Sequence, residues 1–180
     1  MGISDAARRA LGARRAFPVL AGAAAVVVGV LALVARAQVA IWKDSETLFR
    51  HALACTSDDN TIAHNNLGLA LLYGGRLDES IPHFQSALRV RPSYVDARVN
   101  LGSAFLMKGR LGEAEFHLQE AIRVDPQTAG GHTNLGVALA LGGRFDEAIA
   151  HLRKAVDLEP DNVQWRRNLD RAQALQRGER

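Results

Sequence analysis

One cysteine, Cys55, in 180 residues excludes an internal disulfide and leaves the redox compartment open. Nothing near it marks a nucleophile, so its expected role is that of a small buried residue. Gly-rich phosphate loops, a Ser/His/Asp arrangement and a cysteine cluster are also missing, so the sequence offers no catalytic centre. A strong field of one sign is lacking as well. The formal charge of +3 is unevenly spread: residues 1–37 carry five Arg against one Asp, whereas the other 143 carry 17 basic and 18 acidic side chains. The pI near 9.5 therefore belongs to the N-terminal end. The remainder lacks the positive surface that a nucleic-acid partner requires. What is present is 48% hydrophobic and 23% charged, the balance of a folded chain rather than a disordered one.

Phe17 to Ala35 is a run of 19 residues without a charge. As a helix it is about 28 Å long, close to the roughly 30 Å hydrocarbon core of a bilayer. Ten of its residues are Val, Leu or Phe, which together favour insertion by roughly 3–6 kcal/mol. Four arginines precede the run, and Arg36 and Lys43 follow it. The positive-inside bias then predicts a basic cytoplasmic N-terminus at 1–16, a transmembrane helix at 17–36, and everything after it outside the cytoplasm (periplasmic in a bacterium). Trp42 lies just beyond the exit, where an interfacial aromatic is useful. Two alternatives compete. Arg14 to Leu20, "RRAFPVL", resembles a twin-arginine export signal, and Ala35-Arg36-Ala37 offers an A-x-A cleavage site, which would release a soluble exported protein. The Arg- and Ala-rich start also fits a mitochondrial transit peptide. The run is longer than a typical signal core, which favours the retained anchor.

Beyond residue 60 the chain repeats itself. Asn-Leu-Gly occurs at 66–68, 100–102 and 134–136, an unbroken period of 34 that defines units 61–94, 95–128 and 129–162. Ser80, Ala114 and Ala148 recur in register, as do Phe84, Leu118 and Leu152. So do Ala87, Ala121 and Ala155, and finally Pro92, Pro126 and Pro160. This spacing matches the tetratricopeptide repeat. The ankyrin T-P-L-H start and the basic groove of RNA-binding pentatricopeptide repeats are both absent. The fold expected is all-α: a solenoid of stacked antiparallel helix pairs, preceded by one transmembrane helix. Helix A (about 61–73 in the first unit) and helix B (about 77–90) approach closely at Gly68, Gly102 and Gly136, with Leu67, Leu71, Phe84 and Leu88 filling the seam. Gly75, Gly109 and Gly143 sit where helix A must end in a left-handed residue. The three prolines stop helix B. A half-repeat at 37–60 contains the B-like stretch Asp44 to Thr56, and residues 163–180 form a polar capping helix.

The join from Ala37 to Gly68 resembles the point where the last membrane helix meets the repeats in transmembrane and tetratricopeptide-repeat proteins, some of them O-mannosyltransferases. In that family a multi-helix membrane half carries glycosyl transfer, and this chain has one candidate span. The resemblance therefore implies a non-catalytic C-terminal module. A further implication is an accessory role, presenting acceptor protein to a separate membrane glycosyltransferase.

His83, His117 and His151 are also 34 apart. Equivalent positions on neighbouring units lie about 8–10 Å apart, too far for a shared Zn²⁺ with Zn–N of about 2.0–2.1 Å. A solvated helix B face is expected for them, and core packing for His64 and His132. Asp78-Glu79 and Asp146-Glu147 fall at the start of helix B, where carboxylates favour the helix dipole. No metal, cofactor or small-molecule substrate is expected.

The amides Asn66, Asn100 and Asn134, extended by Asn168, call for a separate reason, because Asn costs helix propensity. In the tetratricopeptide fold this position faces the concave groove. Similar ladders in O-linked N-acetylglucosamine transferase hold the backbone of an extended peptide. A unit spacing of about 8–10 Å matches three extended residues of about 3.3 Å, and an amide can both donate and accept. The other reading has these amides bonding to helix carbonyls or to each other across repeats. Neighbouring groove positions are Asn65, Val99 and Thr133, then Leu69, Ser103 and Val137. They lack the lysines of a carboxylate clamp, so the partner expected is a protein segment recognised through its backbone or apolar side chains.

Overall fold

The structure, a computed structural model, describes residues 44–56 and 59–178. The apolar run at 17–35, read above as a membrane span or export signal, lies outside them. Among the described residues there are eight helices and no strand. They are α1 (Ser45–Cys55), α2 (Thr61–Tyr73), α3 (Leu77–Val90), α4 (Val95–Met107), α5 (Leu111–Val124), α6 (Ala129–Leu141), α7 (Phe145–Leu158) and α8 (Val163–Gln176). None of these is long and apolar enough to cross a membrane. Helices adjacent in the chain pack on each other, and each A helix also touches the next (α2 on α4, α4 on α6, α6 on α8). That is the stacking of a helical-hairpin solenoid.

Local chemistry sets the turns. Gly75, Gly109 and Gly143 have φ of 74°, 71° and 78°, the left-handed region where a side chain would be strained. The residues around them close a Schellman motif: Gly75 N–H donates to Leu72 O at 3.0 Å and Arg76 N–H to Leu71 O at 2.9 Å. The other two turns repeat both bonds. Helix B stops two residues before each proline, at Val90, Val124 and Leu158. Asn60, Thr128 and Asn162 cap α2, α6 and α8 through their side chains.

Inside each hairpin, helix A lays its glycine on the large residue of helix B. A Cβ on Gly68 would stand 2.7 Å from Phe84, and one on Gly102 or Gly136 would stand 2.6 Å from Leu118 or Leu152. The helices therefore approach as far as backbone allows. One core runs through the units, from Leu72 and Phe84 by way of Leu101, Phe105 and Leu118 to Leu135 and Leu139. A smaller cluster under α8 joins Ile149, Leu152 and Ala172, with Leu169 against it.

Three expectations are corrected. Cys55 is exposed rather than buried, with its Sγ 3.5 Å from His51 Nε2; α1, the first helix among the described residues, buries no residue completely. The acids at the start of helix B do more than face the dipole. Helix B is N-capped by Arg76, Arg110 and Arg144, none through its side chain. Glu79 and Glu147 fold back onto those arginines, 2.6 Å away in both cases, and Asp78 reaches Lys108 of the following unit. Arg76 and Arg144 also bridge backwards, to Glu46 at 2.7 Å and Glu115 at 2.8 Å. The histidines, the third correction, are taken up below.

Candidate functional site: the amide-lined groove

The A helices carry the site. Asn66, Asn100, Asn134 and Asn168 hold one position on α2, α4, α6 and α8, and each is half-buried. The cross-repeat bonding considered above is present. Asn100 Nδ2 donates to Asn65 Oδ1 at 3.0 Å, and Asn134 Nδ2 donates to Ser103 Oγ at 2.7 Å. Ser103 passes the bond on to Val99 O at 3.0 Å. The two middle amides thus commit one N–H each between units, and their carbonyls accept no bond among the described residues. The end amides are complementary. Asn66 Oδ1 accepts from Asn65, and Asn168 Oδ1 accepts from Gln164, so both keep NH₂ donors for the groove. The row thus keeps free carbonyls at its middle and free NH₂ groups at its ends.

Two cavities open along this row. The larger, about 580 Å³, is lined by Asn65, Asn66 and Asn100 together with Tyr94, Asp96 and Glu159 among others. The smaller, about 260 Å³, lies between α6 and α8, against Val137, Ala140, Leu141, Leu175, Asn168 and Arg171. Two turns of A helix beyond the ladder runs a second row, which sequence reasoning missed. Tyr73, Met107, Leu141 and Leu175 stand 34 apart and are 82%, 61%, 65% and 41% exposed. Their shared period was the available signal; each is seven residues past a ladder Asn, so both rows share one helix face.

The histidines do not lie on a solvated face. His83 and His151 are half-buried and turn inward to the A helix of their own unit. His64 Nδ1 and His83 Nδ1 are 3.1 Å apart; His132 Nδ1 and His151 Nδ1 are 3.0 Å apart. His132 Nε2 lies 3.2 Å from Pro126 O. In the neutral ring that nitrogen donates to the carbonyl, leaving Nδ1 to accept from His151. Unit 2 replaces the pair with Arg98, bonded to Pro92 O, and His117, stacked on Phe105 at 5.5 Å. Burial pushes His83, His117, His132 and His151 below the ordinary imidazole value. Among the described residues no group of three or more His, Cys, Asp or Glu is placed to hold a metal ion.

Comparison with known proteins agrees with the repeat fold. Two family models described as tetratricopeptide repeat match residues 65–117 and 129–162. YrrB, "a TPR protein with an unusual peptide-binding site", has 26% identity and a TM-score of 0.60, covering 69% of this chain and 64% of that one. MamA has 22% identity and a TM-score of 0.63, covering 72% and 75%. The first TPR of Spaghetti (RPAP3), solved with an HSP90 peptide, has 20% identity and a TM-score of 0.62, covering 67% and 96%. No curated protein matches the chain significantly.

Proposed function

We propose, from the tetratricopeptide repeats that the chain carries, that it is a non-catalytic scaffold holding an extended protein segment in its concave groove. The observation that carries this is the amide row. Four half-buried Asn at one position on four stacked A helices leave donors and acceptors unspent toward the groove. An extended backbone offers N–H and C=O groups at the spacing such a row can meet. YrrB supplies support by likeness, being a repeat protein described as having a peptide-binding site.

The test must separate binding from inter-unit bonding. Asn100→Ala with Asn134→Ala removes both groove carbonyls and two bridging bonds, costing about 1 kcal/mol of stability for each. Partner capture in a pull-down is expected to disappear while the far-ultraviolet helix signal persists. Ser103→Ala removes Asn134's partner but no ladder amide; stability should fall and capture should survive. Capture unchanged in the double Asn variant defeats the groove assignment.

The charge-free run at 17–35 and the arginines before it favour an anchor that tethers the repeats outside the cytoplasm. Retention of intact protein in carbonate-washed membranes is the expected result; release of a chain beginning at Gln38 would mean export and cleavage. The resemblance of Ala37 to Gly68 to the join in O-mannosyltransferase-like proteins favours a second reading, an accessory domain presenting acceptor protein. Co-purification with a multi-span glycosyltransferase tests it.

A further inference from the structure

We infer that the groove reads the direction of the segment it holds. It takes a basic side chain beside Asp96 of unit 2, and an apolar side chain beside a carboxylate at the capping helix. This rests on the groove reading above and adds the chemistry of the partner.

The amide row connects two cavities of opposite character. Asn66 and Asn100 line the larger one, whose charged lining residues are Asp96 and Glu159, with no Lys, Arg or His among the rest. Asp96 is exposed, in the first turn of α4, and makes no salt bridge among the described residues. Glu159 Oε2 accepts from Trp165 Nε1 at 3.0 Å and from Asn162 Nδ2 at 3.1 Å. Both donors are neutral, so its charge is oriented without being cancelled. Asn168, at the other end of the row, lines the smaller cavity. That wall is apolar apart from Asn168 and one charged residue, Arg171, which likewise makes no salt bridge among the described residues. The free NH₂ of Asn168 lines the same cavity as this guanidinium, which suits a carboxylate acceptor.

A segment following the row from α4 to α8 thus meets Asp96 first, then apolar surface, then Arg171. Reversed, the same segment sets its cation beside Arg171 and its acid beside Asp96, and like charges in contact select against a wrong partner. The spacing follows from the stacking. Asn100 and Asn168 are two units apart, about 16–20 Å, which is five or six residues of extended chain at about 3.3 Å each.

A labelled synthetic peptide with blocked ends, carrying Lys, then five Gly/Ser residues, then Leu-Glu, measures this by fluorescence anisotropy against the full chain. The control has the same residues in reverse order. The first peptide should bind at least tenfold tighter at low ionic strength. Asp96→Asn combined with Arg171→Gln, both at exposed positions, should bring the two affinities together, and Asn100→Ala should weaken both peptides. Equal binding of the two peptides, abolished by Asn100→Ala, overturns the charge inference and leaves the groove reading standing. A preference that survives the Asp96/Arg171 double variant, or binding of neither peptide, overturns it too. Binding insensitive to Asn100→Ala overturns the groove reading and this inference with it.

Discussion

Gly102 and Gly112 stand ten residues apart and should answer the same substitution in opposite directions. A methyl on Gly102 would meet Leu118 Cγ at 2.6 Å, in a core where Leu118 is fully buried. Overpacking of this kind costs about 1–3 kcal/mol, more than the roughly 1 kcal/mol that alanine gains over glycine in a helix. Gly112 has nothing within 4 Å of its would-be Cβ and no positive φ. Gly112→Ala should therefore stabilise by about 0.5–1 kcal/mol, and urea midpoints of the two variants decide both signs. The histidines make stability depend on pH. Burial lowers His83, His117, His132 and His151 below the ordinary 6.5. The unfolded chain then binds more protons, so stability is complete above about pH 6.5 and declines as pH falls below it. The groups facing these rings are Arg50 and Glu79 at His83, Lys154 at His132, Glu147 at His151, and Arg98, Glu113 and Glu120 at His117. A urea midpoint at pH 5.5 below that at pH 7.5, with the difference reduced in His83→Gln, is the expected result. At this scale the sequence is half legible. Leu67 and Gly68 announce themselves because packing leaves them no substitute. The histidine pairs were hidden because the period aligns like residues of different units, whereas the contact joins residues 19 apart within one unit. The amides' partners, Asn65 and Ser103, were hidden because they depend on which rotamer each Asn takes across an inter-helix gap.

Helices are where the sequence speaks most clearly. The bounds of α2 and α3 coincide with the periodic stretches, because a left-handed glycine closes one end and a proline follows the other. The caps of the B helices were less legible. They are arginines without a capping bond, held by a glutamate three residues on, and that pairing looks like any surface charge pattern in one dimension. Pro82 goes against the rest of its element. It lies inside α3, five residues past the first, exposed, and its ring nitrogen offers no donor to the Asp78 carbonyl one turn back. The equivalent positions are Phe116 and Ala150. Pro82→Ala should restore that bond with no loss of packing and raise stability by about 1–3 kcal/mol. A higher thermal midpoint checks it, and an unchanged or lower one would mean the proline sits there for a reason outside helix energetics.

At the level of the whole array, α8 acts as a lid on the last hairpin. It covers Ile149 and Leu152 with Ala172 and Leu169, and turns a polar face outward. A chain stopped after Asp161 would expose those two core side chains, at about 1.5–3 kcal/mol each. The expected outcome is a lower urea midpoint and concentration-dependent self-association in light scattering, with both relieved when α8 is restored. The glycine contacts have one more consequence, and it is genealogical. Only glycine fits beneath Phe84 at position 68 and beneath Leu118 and Leu152 at 102 and 136, so the two helices of a hairpin are best inherited together. Recombination between units is cheap at the prolines that separate B from the next A, and disruptive at the turns within a hairpin. A lineage that lengthens or shuffles this protein should leave its breakpoints near Pro92 and Pro126 and spare Gly75 and Gly109.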